Sequence, residues 1–339
     1  MIWLLLLASL VAILIAAEFF TNALEHLGER LGISEGVTGS LFAAVGTAMP
    51  ETMVPVLALV AGSDDPGLNT EIGVGAIFGA PLMLATLVMS LTGAAVVRIR
   101  GLRGVITPEV SGFRRDLNVF LLAFGLAGLA LLIPADWVYA GLARALVGMS
   151  LVFIYFLYVL LTLRSSSALV EQGHATEAHH EMFLARLGLP TSLPVILLQL
   201  AVGLGVLVAG AKGFILVVHD LSDDLAISAL ILSLLIIPIA TELPENVNSV
   251  LWIRRRKDTL AMGNITGAMV FQGTTLPALG LILTTWQPQP AVIAAFAVTM
   301  TGAVWLRLQA SSSGLKVWHL GVSGVLYLVF VVMALAGFA

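Results

Sequence analysis

Two stretches of this sequence set carboxylates and a proline inside otherwise apolar runs. They read Gly46-Thr47-Ala48-Met49-Pro50-Glu51 and Ala240-Thr241-Glu242-Leu243-Pro244-Glu245. Proline removes a backbone donor and disrupts a helix at the preceding turn. Carbonyls near Gly46–Thr47 and Ala240–Thr241 are therefore expected to be released toward the interior. A released carbonyl and a carboxylate one turn away are both hard oxygen ligands, suited to Ca²⁺ or Na⁺. A charge held in hydrocarbon costs at least about 2.5 kcal/mol, so acids kept there are read as functional. The alternative is that the prolines are simple kinks and the acids pair with buried bases. Lys212 and Arg144 are the candidates for such pairing, and both fall nearer helix ends than centres.

The elements that must hold these residues follow from composition. The chain has 339 residues, 59% hydrophobic and 11% charged, with a mean hydropathy of +1.04. Soluble domains carry about 25% charged residues, so lipid must replace water over most of this surface. There are no cysteines, which excludes disulfides, thiolate metal sites and cysteine nucleophiles. Spanning takes about 20 apolar residues in helical form. Ten segments qualify, near 2–23, 36–60, 70–97, 116–134, 137–163, 190–218, 225–252, 258–284, 289–308 and 317–338. The first, without a preceding Lys or Arg and without a small-residue cleavage site, reads as a retained helix rather than a signal peptide.

Basic residues mark the orientation. Arg30, the Arg98–Arg115 group, Arg164, Arg186, the run Arg254-Arg255-Arg256-Lys257, Arg307 and Lys316 all share one side when the N-terminus lies outside. The opposite loops carry acids such as Asp64, Asp65, Asp136, Asp220, Asp223 and Asp224. Both termini are thus expected outside a cell (inner) membrane.

The chain also repeats itself. At an offset of 194 residues, Ala17–Glu51 lies over Ala211–Glu245 without a gap. Thr47/Thr241, Pro50/Pro244 and Glu51/Glu245 coincide, among several apolar matches. Each half would hold five helices, an odd number, so the copies must enter the membrane in opposite directions. The expected fold is all-α and integral to the membrane, with ten helices in two inverted repeats, residues 1–163 and 190–339. A cytoplasmic loop, 164–189, joins them. Inverted repeats with broken helices are a transporter architecture, with the site near the midplane.

The Gly-Thr-x-x-Pro-Glu segment, followed by Gly75-Ala76-Ile77-Phe78-Gly79-Ala80 in one half and Gly263-Asn264-Ile265-Thr266-Gly267-Ala268 in the other, resembles the repeats of the sodium/calcium exchanger family of calcium/cation antiporters. The resemblance implies a central cation held by Glu51, Glu245 and the carbonyls of Thr47 and Thr241. It also implies alternating access by the first and sixth helices sliding over the rest. The flanking positions depart from the family. Ala48, Ala80 and Ala268 stand for its serines, Leu84 and Gln272 for its Asn or Asp, and Glu242 for its second motif serine. Neutral oxygens are lost and one carboxylate is added. Three acids in one small cavity repel one another, so one of them is expected to take up protons readily.

Other candidates carry less. Gln272 is expected to be a ligand, while Asn264 is as well explained by interhelical hydrogen bonding. Gly75, Gly79, Gly263 and Gly267 have the four-residue spacing that lets helices approach closely. Glu18 and Lys212 occupy equivalent repeat positions and read as interfacial anchors. His174, His179 and His180 in the central loop read as solvated, and no second His completes a zinc protease motif. The expected function is secondary antiport, exporting Ca²⁺ against Na⁺ or H⁺, with exchange of Na⁺/H⁺ or other monovalent cations as the alternative. An intramembrane enzyme finds no catalytic motif, and a non-transporting scaffold would need no internal acids. No cofactor is expected. The expected partners are inorganic cations and the bilayer, not nucleic acid.

Overall fold

The computed structural model describes residues 2–31, 49–61, 65–171, 181–225 and 228–337. Helices dominate. In chain order they are α1 (Ile2–Arg30), α2 (Met49–Ala61), α3 (Pro66–Met83), α4 (Met89–Arg100), α5 (Val110–Leu129), α6 (Ala140–Glu171) and α7 (Leu193–Leu225). There follow α8 (Ala229–Thr241), α9 (Leu243–Arg254), α10 (Asp258–Leu283), α11 (Pro290–Gln309) and α12 (Val317–Leu335). A π-helical turn, Leu84–Val88, joins α3 to α4 within one continuous span. Among the described residues seven runs are long and apolar enough to cross a bilayer, and α2 and α8 contribute shorter apolar segments.

Two details differ from the sequence expectation. The protein is not purely helical, because Val105–Ile106 (β1) and Leu315–Lys316 (β2) pair as an antiparallel ladder between two interhelical loops. In addition, α6 continues to Glu171, into the connection expected at 164–189. Polarity rises after Leu163 in the sequence, but helical hydrogen bonding does not need an apolar neighbourhood, so the helix outruns its apolar stretch.

α3 and α10 form the interior. Every residue from Ile72 to Met83 is buried, as are most of α10 from Ala261 to Leu281. A helix that is apolar all round belongs inside. α6 instead exposes Leu146, Met149, Phe153 and Phe156, the face expected toward lipid. α1 lies against α7, and α7 also packs on α2. Ile13, Ala16, Phe20, Leu207 and Phe214 join this pair to Val54, Ala76 and Ile237 of the interior helices. At the end of the pair, Asn22 and Gln199 are buried and bonded to each other at 3.0 Å. They also take the backbone N–H groups of Phe183 and Leu184, each at 3.0 Å. The end of the central connection is thereby fastened to α1 and α7.

The spacing of Gly75 and Gly79 has the consequence expected of it. A Cβ on Gly75 would come 2.6 Å from Ser233 Cβ, and one on Gly79 would come 2.7 Å from both Leu234 O and Pro238 Cγ. α3 and α8 are in backbone contact there. Gly263 differs, having nothing within 4 Å of its absent Cβ among the described residues. Gly79→Ala should therefore destabilise by about 1–3 kcal/mol through overpacking, whereas Gly263→Ala should be neutral or stabilising by up to about 1 kcal/mol. Thermal denaturation of the two variants in detergent tests the contrast.

The Arg-rich end of the bundle is held by polar contacts. Arg100 and Asp258 form a two-pronged pair at 2.8 and 2.6 Å. Glu109 caps α5, accepting from Ser111 N and Gly112 N at 2.7 and 2.6 Å. Partial burial pushes its carboxyl up, but those donors and the Arg115 charge outweigh it and hold the group below the ordinary carboxylate range.

Candidate cation-binding site

The helix interruption in the second half falls at Glu242, directly after the Ala240–Thr241 carbonyls expected from the sequence to be released. α8 ends at Thr241, α9 begins at Leu243, and Glu242 sits between them with φ −78° and ψ −7°. This is the bridge region of backbone space, where many active-site residues are found. Pro244 is thus not inside a helix but second in a new one, where its missing N–H costs nothing. It still cannot donate to the carbonyl of Ala240, four residues back. α2 begins at Met49, and the two helix starts are 194 residues apart, the repeat offset itself. Pro50 and Glu51 occupy the same first-turn positions in α2 as Pro244 and Glu245 do in α9.

The geometry concentrates charge. Glu51 and Glu242 are each only 1% exposed. Glu51 lies in the first turn of α2, at the positive end of the helix dipole, where a negative charge is attracted. α8 presents the opposite, carbonyl end to Glu242, and such ends are the ones that coordinate cations in transporters. Gln272 is fully buried on α10 and donates from Nε2 to Glu242 Oε1 at 2.9 Å. Thr241 is buried and its hydroxyl donates to Ile237 O at 3.0 Å, so its oxygens remain available as acceptors. α10 packs on both α2 and α9, so one helix borders both acidic segments.

Of the residues singled out from sequence, the structure brings Glu242 and Gln272 into direct contact and buries Glu51 and Thr241. Thr47 and the central-loop histidines lie outside the described residues, as do the side chains of Glu245 and Lys212. The Arg144 guanidinium turns to the chain beyond the end of α5, donating to Ile133 O at 3.2 Å. Glu18 is exposed, in keeping with an anchor. Leu84, where the resemblance calls for a polar ligand, is buried at the start of the π-helical turn. Such turns often mark functional sites.

A further buried carboxylate escaped sequence reasoning. Asp116 on α5 is 2% exposed and accepts from Thr266 Oγ1 of α10 at 2.9 Å and from Arg115 at 3.1 Å. The Arg115 guanidinium also lies over the Tyr158 ring, 5.6 Å from its centre. Asp116 was hard to see because it stands at the very edge of the expected 116–134 span, directly after two arginines, where an acid reads as solvated. The structure starts the helix six residues earlier and draws that acid inside.

Comparison with known proteins places the chain in a family and shows a shared fold. The sequence profile described as "Sodium/calcium exchanger protein" matches residues 1–164 and 195–336. The inner membrane protein YrbG of Escherichia coli (strain K12) is 27% identical over 286 residues, covering 84% of this chain and 81% of YrbG. In fold, the H⁺/Ca²⁺ exchanger CAX is similar with a TM-score of 0.72 at 17% identity, covering 98% of this chain and 82% of CAX. The sodium-calcium exchanger NCX_Mj is similar with a TM-score of 0.61 at 18% identity, covering 98% and 99%. The chain belongs to the sodium/calcium exchanger family.

Proposed function

We propose that the protein is a secondary antiporter that exports Ca²⁺ against an inward flow of H⁺, built from ten spans in two inverted halves with both termini outside. Sodium is the other coupling ion open to it. Glu51 and Glu245, with the carbonyls of Thr47 and Thr241, hold the divalent cation, and Glu242 with Gln272 carries the coupling proton. The observation that supports this most is Glu242 itself, an acid buried in a helix break and bonded to a neutral amide. A carboxylate removed from water must bind a cation or take a proton. Ala48, Ala80, Ala268 and Leu84 remove neutral oxygens that separate sodium pockets would need, and this favours protons. The long contact of α1 with α7 suits a pair that moves as one body over the interior helices.

The test is calcium flux in proteoliposomes with Na⁺, H⁺, K⁺ and Ca²⁺ gradients varied independently. A proton gradient alone should drive calcium uptake, and a sodium gradient without one should drive little. Glu242→Gln should retain calcium binding but lose proton-driven flux. Robust sodium-driven flux would reject proton coupling. Exchange of Na⁺ for H⁺ with no calcium movement would instead establish the monovalent alternative, which the same lost oxygens also favour. No ion flux under any of these gradients, with the fold kept after combined Glu51→Gln, Glu242→Gln and Glu245→Gln, would leave only a scaffold.

A further inference from the structure

The two helices that meet after the break share a polar seam. α9 and α10 run antiparallel, and two bonds fix their register. Glu242 accepts from Gln272 at one end, and Ser249 Oγ donates to Ala261 O at 3.3 Å near the other. Glu242, Asn246 and Ser249 follow one another at four and three residues, one stripe that runs from the break along α9. Ala261, Asn264, Ala268 and Gln272 form the facing stripe of α10 by the same rule. The register sets Asn246 across from the stretch between Asn264 and Ala268.

Four buried polar atoms along this seam have no hydrogen-bond partner among the described residues. They are Asn264 Oδ1, Asn264 Nδ2, Asn246 Oδ1 and Gln272 Oε1, and Asn264 and Gln272 are fully buried. Buried amides left unpaired are costly, and proteins satisfy them with ordered water where protein partners are missing. The set comprises three acceptors and one amino donor. Water matches it, since it can donate to two oxygens and accept from the nitrogen. A bare cation would suit the oxygens but face the Asn264 amino group. Amide orientation is itself set by such networks, and either orientation of Asn264 leaves both donor and acceptor to satisfy.

We propose that the α9–α10 seam holds ordered water and is the route by which protons pass between Glu242 and the Arg-rich end of the bundle. This rests on the reading of Glu242 as the proton-carrying acid. The other ionisable groups near α10 lie elsewhere. Asp116, itself bonded to Arg115, meets it at Thr266, about 200° around the helix from Asn264. Asp258 closes the end of the seam, bonded to Arg100 and to Thr107 N.

The cysteine-free sequence allows a direct test. Asn246→Cys and Asn264→Cys, each reconstituted in one orientation, are treated with a small cationic methanethiosulfonate from either face. Both should react rapidly from the Arg-rich face, while Val270→Cys, buried on another side of α10, should not. Reaction as slow as at position 270 in both variants would show a dry seam and end the proposal. Asn246→Leu and Asn264→Leu should each slow proton-driven calcium flux by about tenfold, the equivalent of one hydrogen bond, with calcium affinity unchanged. Unaltered flux in both, or a fall in calcium affinity, overturns the route. Were Glu242→Gln to keep proton coupling, the role of Glu242 would fail, while the labelling would still report whether the seam is wet.

Discussion

Glu51→Gln is expected to reduce calcium exchange to background while leaving a folded protein. Glutamine keeps the size and hydrogen-bonding shape of the side chain and removes only its charge. Two unit charges 4 Å apart attract by about 4 kcal/mol at an effective dielectric near 20. Against a divalent ion the loss is larger still, so affinity should fall by a thousandfold or more, at about 1.4 kcal/mol per factor of ten. Folding should not suffer, because neutralising a buried carboxylate also removes the cost of taking it out of water. Glu51 is 1% exposed, which makes that cost substantial. The measurement pairs isotope uptake with thermal denaturation, with and without Ca²⁺. Uptake should vanish, the calcium-dependent rise in midpoint should vanish with it, and the calcium-free midpoint should hold or increase. Wild-type uptake by this variant, or by Glu245→Gln, would remove the central site from the mechanism.

Much of this architecture can be read from the sequence because a bilayer demands so much of it. Backbone groups in hydrocarbon must be satisfied within each helix, so apolar runs of sufficient length announce themselves. The expected segment at 258–284 is α10, Asp258–Leu283, and that at 289–308 is α11, Pro290–Gln309. Intramembrane acids are legible for the same reason, and Glu51, Glu242 and Gln272 were all visible as polar groups where none is cheap. The glycine spacing in α3 correctly announced a close approach, although not that α8 would be the neighbour.

What was not legible depends on partners distant in the chain. Asp258 opens the expected 258–284 segment directly after a run of four basic residues, an edge position that reads as interfacial rather than buried. Its ligand, Arg100, is 158 residues away, and no local pattern links them. Asp116 is hidden in the same way, since its burial is decided by Thr266, 150 residues distant. The β1–β2 ladder comprises two residues on each side, too few for any alternation to appear. The exact point of the helix break also depends on geometry. Proline says that a helix is interrupted nearby, but whether it ends one helix or begins the next is decided by the surrounding packing, here in favour of beginning α9.

Asp258→Ala should be the most destabilising substitution outside the acidic segments, by about 3–5 kcal/mol, the usual effect of stripping the partner from a buried charge. The carboxylate does several things at once. Its two oxygens take both arms of the Arg100 guanidinium, and one also accepts from Thr107 N at 2.9 Å. The same guanidinium donates to Val105 O at 2.8 Å and to Ile253 O at 2.9 Å. One ion pair therefore ties the end of α4, strand β1, the end of α9 and the start of α10 together. Both side chains are about nine-tenths buried, so water cannot easily replace the lost oxygens. Asp258→Asn should cost less, because the amide oxygen still accepts from one arm. Arg100→Leu combined with Asp258→Leu should recover part of the loss, since no charge then remains buried, but not all of it. The carbonyls of Val105 and Ile253 and the N–H of Thr107 would still lack partners, at about 1–3 kcal/mol for each group that water cannot reach. Denaturation midpoints of the three variants in detergent should rank in that order below wild type, with Asp258→Ala lowest. Because the pair sits where α9 turns into α10, Asp258→Ala should also loosen the helix that carries Gln272, and calcium affinity should fall with stability. A variant that lost neither would show that the ladder and the neighbouring helices hold this end of the bundle without the ion pair.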